Sequence, residues 1–224
     1  MKKIIGITSA VAIASVFAVT SASALGNLLV NPGFESGDFT GWTVGGNSIQ
    51  TGVAVYGTLI PNSDAPFTPC YQLVHSGNFA GNALVKDYID PAESIILTQT
   101  VAVAANQNVD VGFWLGNDSQ SAFGMSIDDN HTQIFINGVG ILPTGFDTVF
   151  PGSGSGAFIL VSGSFNTGAQ TSISVAFQIN GSGTSRVGVS FDDFYLTPVP
   201  VPEPTDLAFA GLGIGALTIF RRRH

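Results

Sequence analysis

From position 173 to position 179 the chain alternates: Ile173, Val175, Phe177 and Ile179 share one parity, and Ser174, Ala176 and Gln178 the other. Successive side chains of an extended strand point to opposite faces, so this run predicts a strand with one face buried and the other open. A half-buried strand is not stable alone, and the rest of the chain must supply the sheet and the covering layer. Short runs suited to strands recur at 48–56, 83–88, 94–103, 109–115, 123–127, 133–136, 157–165 and 187–196, separated by clusters of Gly, Asn, Asp and Ser. With 28 glycines and almost no helical periodicity, the pattern predicts an all-β sandwich or barrel. Asn137-Gly138 after Ile136 is a two-residue hairpin signal leading into a strand at 139–142. No fixed period repeats along the chain, which argues against solenoids and propellers.

The two ends do not belong to that pattern. Met1, Lys2 and Lys3 precede an apolar stretch from Ile4 to Val19, and Ala22-Ser23-Ala24 is a small-residue cleavage site, so residues 1–24 read as a secretory signal peptide. A true N-terminal transmembrane helix is the alternative, disfavoured by the Ala22–Ala24 site and the polar Thr20-Ser21 break. At the other end, residues 199–204 are spaced by Pro200, Pro202 and Pro204, which lack amide donors and hold this stretch as an extended connector. Leu207 to Phe220 is uncharged and ends at Arg221, Arg222 and Arg223. As a helix it would cover roughly 21 Å against a hydrocarbon core of about 30 Å. It could span only with snorkelling arginines and local thinning, and the basic cluster would put everything N-terminal to it across the membrane.

Between these ends, residues 25–198 have the length of a single domain. Lys86 and Arg186 are its only Lys or Arg, against thirteen acids, a balance of −11 within a formal net charge of −8 for the chain. Nucleic acid and anionic lipid are excluded as partners of such a surface, whereas divalent cations suit it. Cys70 is the sole cysteine, so no disulfide forms within the chain, and it has no basic neighbour to activate it as a thiolate.

The order Val201-Pro202-Glu203-Pro204, short apolar segment, terminal arginines resembles the PEP-CTERM sorting signal of exported bacterial proteins, also known as the ice-binding-protein C-terminal domain. That resemblance implies recognition of Pro202, Glu203 and Pro204 by an exosortase-type processing enzyme, a transient inner-membrane anchor, and a final place at the cell surface, in the outer envelope or in an extracellular polysaccharide matrix. An ordinary membrane anchor is the alternative. Ice binding is not expected, because repeated Thr-x-Thr ladders are missing.

A second resemblance frames the body. The segments NLLVNPGFESGDFTGWTV (27–44), HSGNFAGNALV (75–85) and VGVSFDDFYLTPV (187–199) are similar to the opening, internal and closing segments of galactose-binding-like jelly rolls, a class that includes many carbohydrate-binding modules. It implies a jelly-roll β-sandwich and a structural calcium where opening turn and closing strand meet, with Glu35 and Asp192 as side-chain ligands and Asp193 or Asn31 as substitutes. Asp192 has the parity of Phe194 and Leu196, so an acid is expected on the core face, where an ion would satisfy it. The alternative is that Glu35 caps backbone amides and Asp192 bonds a neighbouring strand, with no ion. Trp42 matches the resembled family's structural tryptophan and is expected in the core.

Trp114 is the candidate ligand platform, since Val109, Val111, Phe113 and Leu115 claim the opposite face and Gly112 and Gly116 flank it; Tyr71 and Tyr88 could assist. A loop covering that face is the alternative. Asp128-Asp129-Asn130-His131 reads as an exposed turn. No acid partner is selected for a glycosidase pair, and His75, His131 and His224 lack zinc spacing. The expectation is a non-enzymatic exported surface protein associated with exopolysaccharide. The alternative is a carbohydrate-binding module proper, and a third reading is a secreted hydrolase.

Overall fold

The computed structural model describes residues 26–48, 50–60, 70–85, 93–117, 126–128, 132–142, 147–149, 158–180 and 187–200, all within one compact unit, Leu25–Val201. The signal-cleavage residues Ala22 and Ala24, the sorting residues Pro202, Glu203, Pro204, Arg221, Arg222 and Arg223, and the apolar segment 207–220 lie outside the described residues. So do Lys86, Tyr88, Asp129 to His131 and Arg186.

Two five-stranded antiparallel sheets make up a jelly-roll sandwich. The first runs in the order β1 (Thr43–Gly46), β6 (Ser94–Ala102), β13 (Ser172–Asn180), β9 (Thr132–Ile136), β10 (Val139–Gly140). The second runs β12 (Phe158–Asn166), β7 (Asn108–Asn117), β14 (Val187–Pro198), β5 (Phe79–Val85), β2 (Thr51–Val55). Two short pairs complete the described strands: β3 (Leu59–Ile60) with β4 (Cys70–Tyr71), and β8 (Ser126–Asp128) with β11 (Asp147–Val149). The all-β expectation therefore holds.

The alternating run is central to the first sheet. Ile173, Val175, Phe177 and Ile179 of β13 are buried, while Ser174, Ala176 and Gln178 are half-exposed on the outer side. The inner faces meet through aromatic rings. Phe177 packs edge-on against Phe113 and Phe194 of the second sheet, and Phe113 and Phe194 stack with centroids 5.0 Å apart. Trp42 joins this cluster as expected, 8 % exposed, its indole N–H donating to the carbonyl of Asn31. Phe34 is fully buried against Phe39, Trp42, Phe191 and Phe194 although its φ is 56°. A left-handed backbone at a bulky residue costs on the order of 1 kcal/mol, which burial of the ring, worth roughly 1.5–3 kcal/mol, offsets.

Asn137 and Gly138 take φ values of 50° and 82° between β9 and β10, as a primed hairpin turn requires. Three features differ from the sequence reading. The strand β1 was not expected, because Thr-Val-Gly-Gly is short and lacks alternation; its pairing with β6 creates it. The strand β5 begins at Phe79, before the expected 83, and its positions 80–85 are all buried, so parity carries no signal there. Asp128 closes β8 opposite Asp147 and is a strand residue, not part of a turn.

A fourth difference bears on function. Pairing of β14 with β7 shifts register between Asp192 and Tyr195, with Asp193 as the extra residue at φ 46°. This bulge breaks the parity argument for Asp192. Asp192 lies opposite Trp114 on the outer face, whereas Phe194, after the bulge, points into the core.

Gly81 faces Phe191 across β5 and β14, and a first side-chain carbon there would fall inside the ring. The expected outcome for Gly81→Ala is a loss of about 1–3 kcal/mol in urea unfolding with an unchanged m-value.

Candidate functional site

Three segments distant in sequence converge beside the bulge: the opening turn around Glu35, the loop 75–79, and Asp192-Asp193. Asp192 is fully buried. Its Oδ2 accepts from the amides of His75 at 2.9 Å and Ser76 at 3.2 Å, and its Oδ1 from the amide of Asp193 at 2.7 Å. Glu35 is exposed, and its Oε1 accepts from the amides of Asn78 at 2.9 Å and Phe79 at 3.1 Å. Gly77 is required between them, since its φ is 72° and a side chain would strike the Glu35 carboxylate. Asp193 bonds the Nδ1 of His75 at 2.6 Å and the hydroxyl of Ser76 at 2.8 Å.

The opening and closing acids therefore meet at one loop, as the resemblance implied, but they meet backbone N–H groups. A cation placed on those oxygens would face amide hydrogens, and among the described residues no group of three or more His, Cys, Asp or Glu is arranged for a metal. Asn31 is a staple: its side-chain amide donates to the carbonyls of Asp38 and Thr40, and its oxygen accepts from the amide of Ser36. As arranged, this donor set does not fit calcium, which would require the 75–79 turn to present carbonyls instead of amides.

Burial raises the Asp192 carboxyl to about 6, while the amides of Ser76, Asp193 and His75 favour its ionised form and limit the rise. The opposite case is Asp38, held below the usual carboxylate range by bonds from Ser36 and Thr40.

Trp114 projects from the outer face of the second sheet, as its parity predicts, and is half-buried. The imidazole of His75 lies on it, centroids 4.1 Å apart and planes 15° from parallel, with Phe158 edge-on to the same imidazole. The flanking glycines accommodate rings rather than open space. A side chain at Gly112 would come within 2.7 Å of the Tyr195 hydroxyl, and one at Gly116 within 2.8 Å of the Phe158 ring. The loop carrying Gln72, Leu73 and His75 crosses this face, where Gln72 and Leu73 bond the hydroxyl of Ser190.

The outer face of the first sheet has a different composition. Its five strands contain no Asp, Glu, Lys, Arg or His. Cross-strand pairing sets Gln133, Gln178 and Ile96 in one row and Phe135, Ala176 and Thr98 in the next, followed by Ser174 beside Thr100. All but Thr100, which is exposed, are half-exposed. Gln178 donates to Asn180 at 2.7 Å. Sequence reading identified the polar parity of β13 but singled out none of these residues, because what marks them is the absence of charge across five strands brought together only by folding.

No protein-family model matches the chain, and no curated protein matches it. Among solved structures, TmCBM61 in complex with beta-1,4-galactotriose is similar at 22 % identity over 78 % of this chain and 99 % of its own, with a TM-score of 0.48. The CBM22-1 xylan-binding domain of Xyn10C from Paenibacillus barcinonensis is 12 % identical over 80 % and 98 %, TM-score 0.46. The K3 adhesin domain of Lys-gingipain from Porphyromonas gingivalis is 14 % identical over 78 % and 98 %, TM-score 0.46. Likenesses at this level carry no weight for ligand or activity.

Two outcomes follow from the loop geometry. Thermal melts with added calcium or with EDTA are expected to coincide; a rise of several degrees with calcium would show the 75–79 turn re-forming around an ion. For Asp192, the folded state binds the proton more tightly than the unfolded state, whose carboxyl titrates near 3.8. Its contribution is therefore fully present below about pH 4 and lost as pH rises to about 6, by at most about 3 kcal/mol and less where water reaches the loop. Asp192→Asn is expected to remove that slope from urea-unfolding data between pH 4 and 7, whatever its offset in absolute stability.

Proposed function

We propose that the body is an exported, non-catalytic glycan-binding module that takes a neutral polysaccharide across the outer face of the first sheet. The observation that carries this reading is the charge-free face itself. The Gln178 side-chain oxygen, the Gln133 amide N–H groups and hydroxyls at Thr98, Ser174 and Thr100 offer donors and acceptors for sugar hydroxyls, the Gln133 oxygen being held by the amides of Ile134 and Leu142, and Phe135 with Ile96 offers apolar contact for ring C–H faces. A face without charge neither repels uronic acids strongly nor rewards amines, so it suits a neutral chain. The export part of the proposal is supported by the signal-peptide pattern of residues 1–24 and by the sorting-signal resemblance of residues 199–224, which make an exosortase-type enzyme the processing partner and the cell surface or its polysaccharide matrix the destination.

Trp114 is the second candidate platform. The His75 imidazole occupies one face of its ring, which is why the first sheet takes precedence.

Affinity electrophoresis of the body through gels containing neutral galactans, xylans and glucans is expected to show retardation by at least one of them, unchanged between low and high salt. Phe135→Ala or Gln178→Ala should weaken that retention about tenfold, the scale for truncating a central contact, and Trp114→Ala should leave it intact. Retention lost in Trp114→Ala but kept in Phe135→Ala would move the site to the second sheet, and no retardation in any gel would refute glycan binding. For export, the intact mass of protein recovered from cells should lack residues 1–24 and roughly the last twenty residues.

A further inference from the structure

A shallow cavity of about 410 Å³ lies on the second sheet, where β7, β12 and the end of β14 meet; Asn108, Asp110, Ser164, Phe165, Asn166 and Val199 line it. Its geometry is set by register. Ser164 and Thr197 flank Asp110 from the two neighbouring strands, and Asn166 lies opposite Asn108 one row on. The lower row is fixed: the Asn166 amide donates to the Asn108 side-chain oxygen at 2.7 Å, the amide of Gly168 donates to the Asn166 oxygen at 2.9 Å, and the amide of Val199 bonds the Asn108 carbonyl at 2.8 Å. With its oxygen engaged, Asn108 still has amide N–H donors to offer.

Asp110 is the chemically distinctive member. It is exposed, its carboxylate has no hydrogen-bond partner among the described residues, and those residues include no Lys or Arg to pair with it. Its charge reaches the upper rim, where it helps burial raise the Tyr195 hydroxyl, which bonds Ser162. A lone unpaired carboxylate beside amide and hydroxyl groups favours a single positive charge carried on a polyhydroxylated ring. It has too few oxygens for a divalent cation. Uronic acids would be repelled, and an N-acetylated sugar would leave the charge unanswered. The cavity is of monosaccharide scale, within the range of small-molecule sites.

We propose that this cavity is a second binding site, specific for a hexosamine unit with a free, protonated amine: the ammonium on Asp110, and ring hydroxyls on Ser164 and the Asn108 amide. It shares with the proposed function only the premise that the partner is a glycan, and stands on the opposite sheet from the neutral face.

The test is calorimetric titration of the full chain in mild detergent with a fully deacetylated glucosamine hexamer and with its N-acetylated counterpart. Binding of the deacetylated hexamer, at least tenfold weaker for the acetylated one and weakened by salt, is the expected result. Asp110→Asn should reduce that affinity about tenfold, and Phe135→Ala should leave it unchanged. Asp110 makes no bond that the fold needs, so loss of folding does not confound the first variant. Equal binding of both hexamers by the Phe135→Ala variant, in which the neutral face is disabled, or full binding by Asp110→Asn, overturns the proposal. So does an oligolysine that competes as well as the hexamer, since the pocket would then select charge alone. Failure of neutral polysaccharides with hexosamine binding retained would remove the first-sheet reading and leave this one, whereas loss of hexosamine binding in Phe135→Ala would collapse the two sites into one.

Discussion

The extra residue at Asp193 fixes the geometry on which both faces of the second sheet depend. By inserting one position between Asp192 and Phe194, it turns Phe194 inward to stack on Phe113 and Asp192 outward to lie beside Trp114. Without it, either an aromatic anchor of the core or a carboxylate would stand on the wrong side. A buried carboxylate is costly unless satisfied, and Asp192 is satisfied by amides of the loop at 75–76 and of its own neighbour. The loop is thereby drawn over the sheet, and His75 comes to rest on Trp114. Glu35 holds the other end of the same loop, so the opening turn, with Phe34 plugged among four rings, is tied to the closing strand through it.

The sandwich is chemically two-sided. All ionisable side chains of the two large sheets lie on the second sheet, and the first is free of them. A jelly roll needs only apolar inner faces, so folding does not require this segregation of the outer ones. It leaves amides and hydroxyls on the outer face of the first sheet and puts the carboxylates of Asp110, Asp192 and Asp193 on the second. Binding to the first would be insensitive to ionic strength, and binding to the second would weaken with it.

Much of the sandwich was legible along the chain. The alternation of β13, the Asn137-Gly138 turn, the buried Trp42 and the approach of the opening turn to the closing strand all follow from local pattern or resemblance. What was not legible had a common cause. Parity counts residues and assumes a regular strand, so it misplaced Asp192 at the bulge; it has no signal where both faces are covered, as in β5; and it cannot see that Tyr195 and Phe158 pack over the glycines beside Trp114. The calcium expectation rested on two acids converging, but which backbone atoms, amides or carbonyls, would meet them depends on the conformation of a turn.

Sequence alone thus determined the class of fold, the inward face of its regular strands and the acidity of the body, because composition and period two act locally along an extended chain. Tertiary structure decided which outer faces are open and which are covered, what satisfies each buried carboxylate, and which uncharged side chains form one continuous surface. Those outcomes depend on register between strands far apart in sequence, and a single bulge resets it.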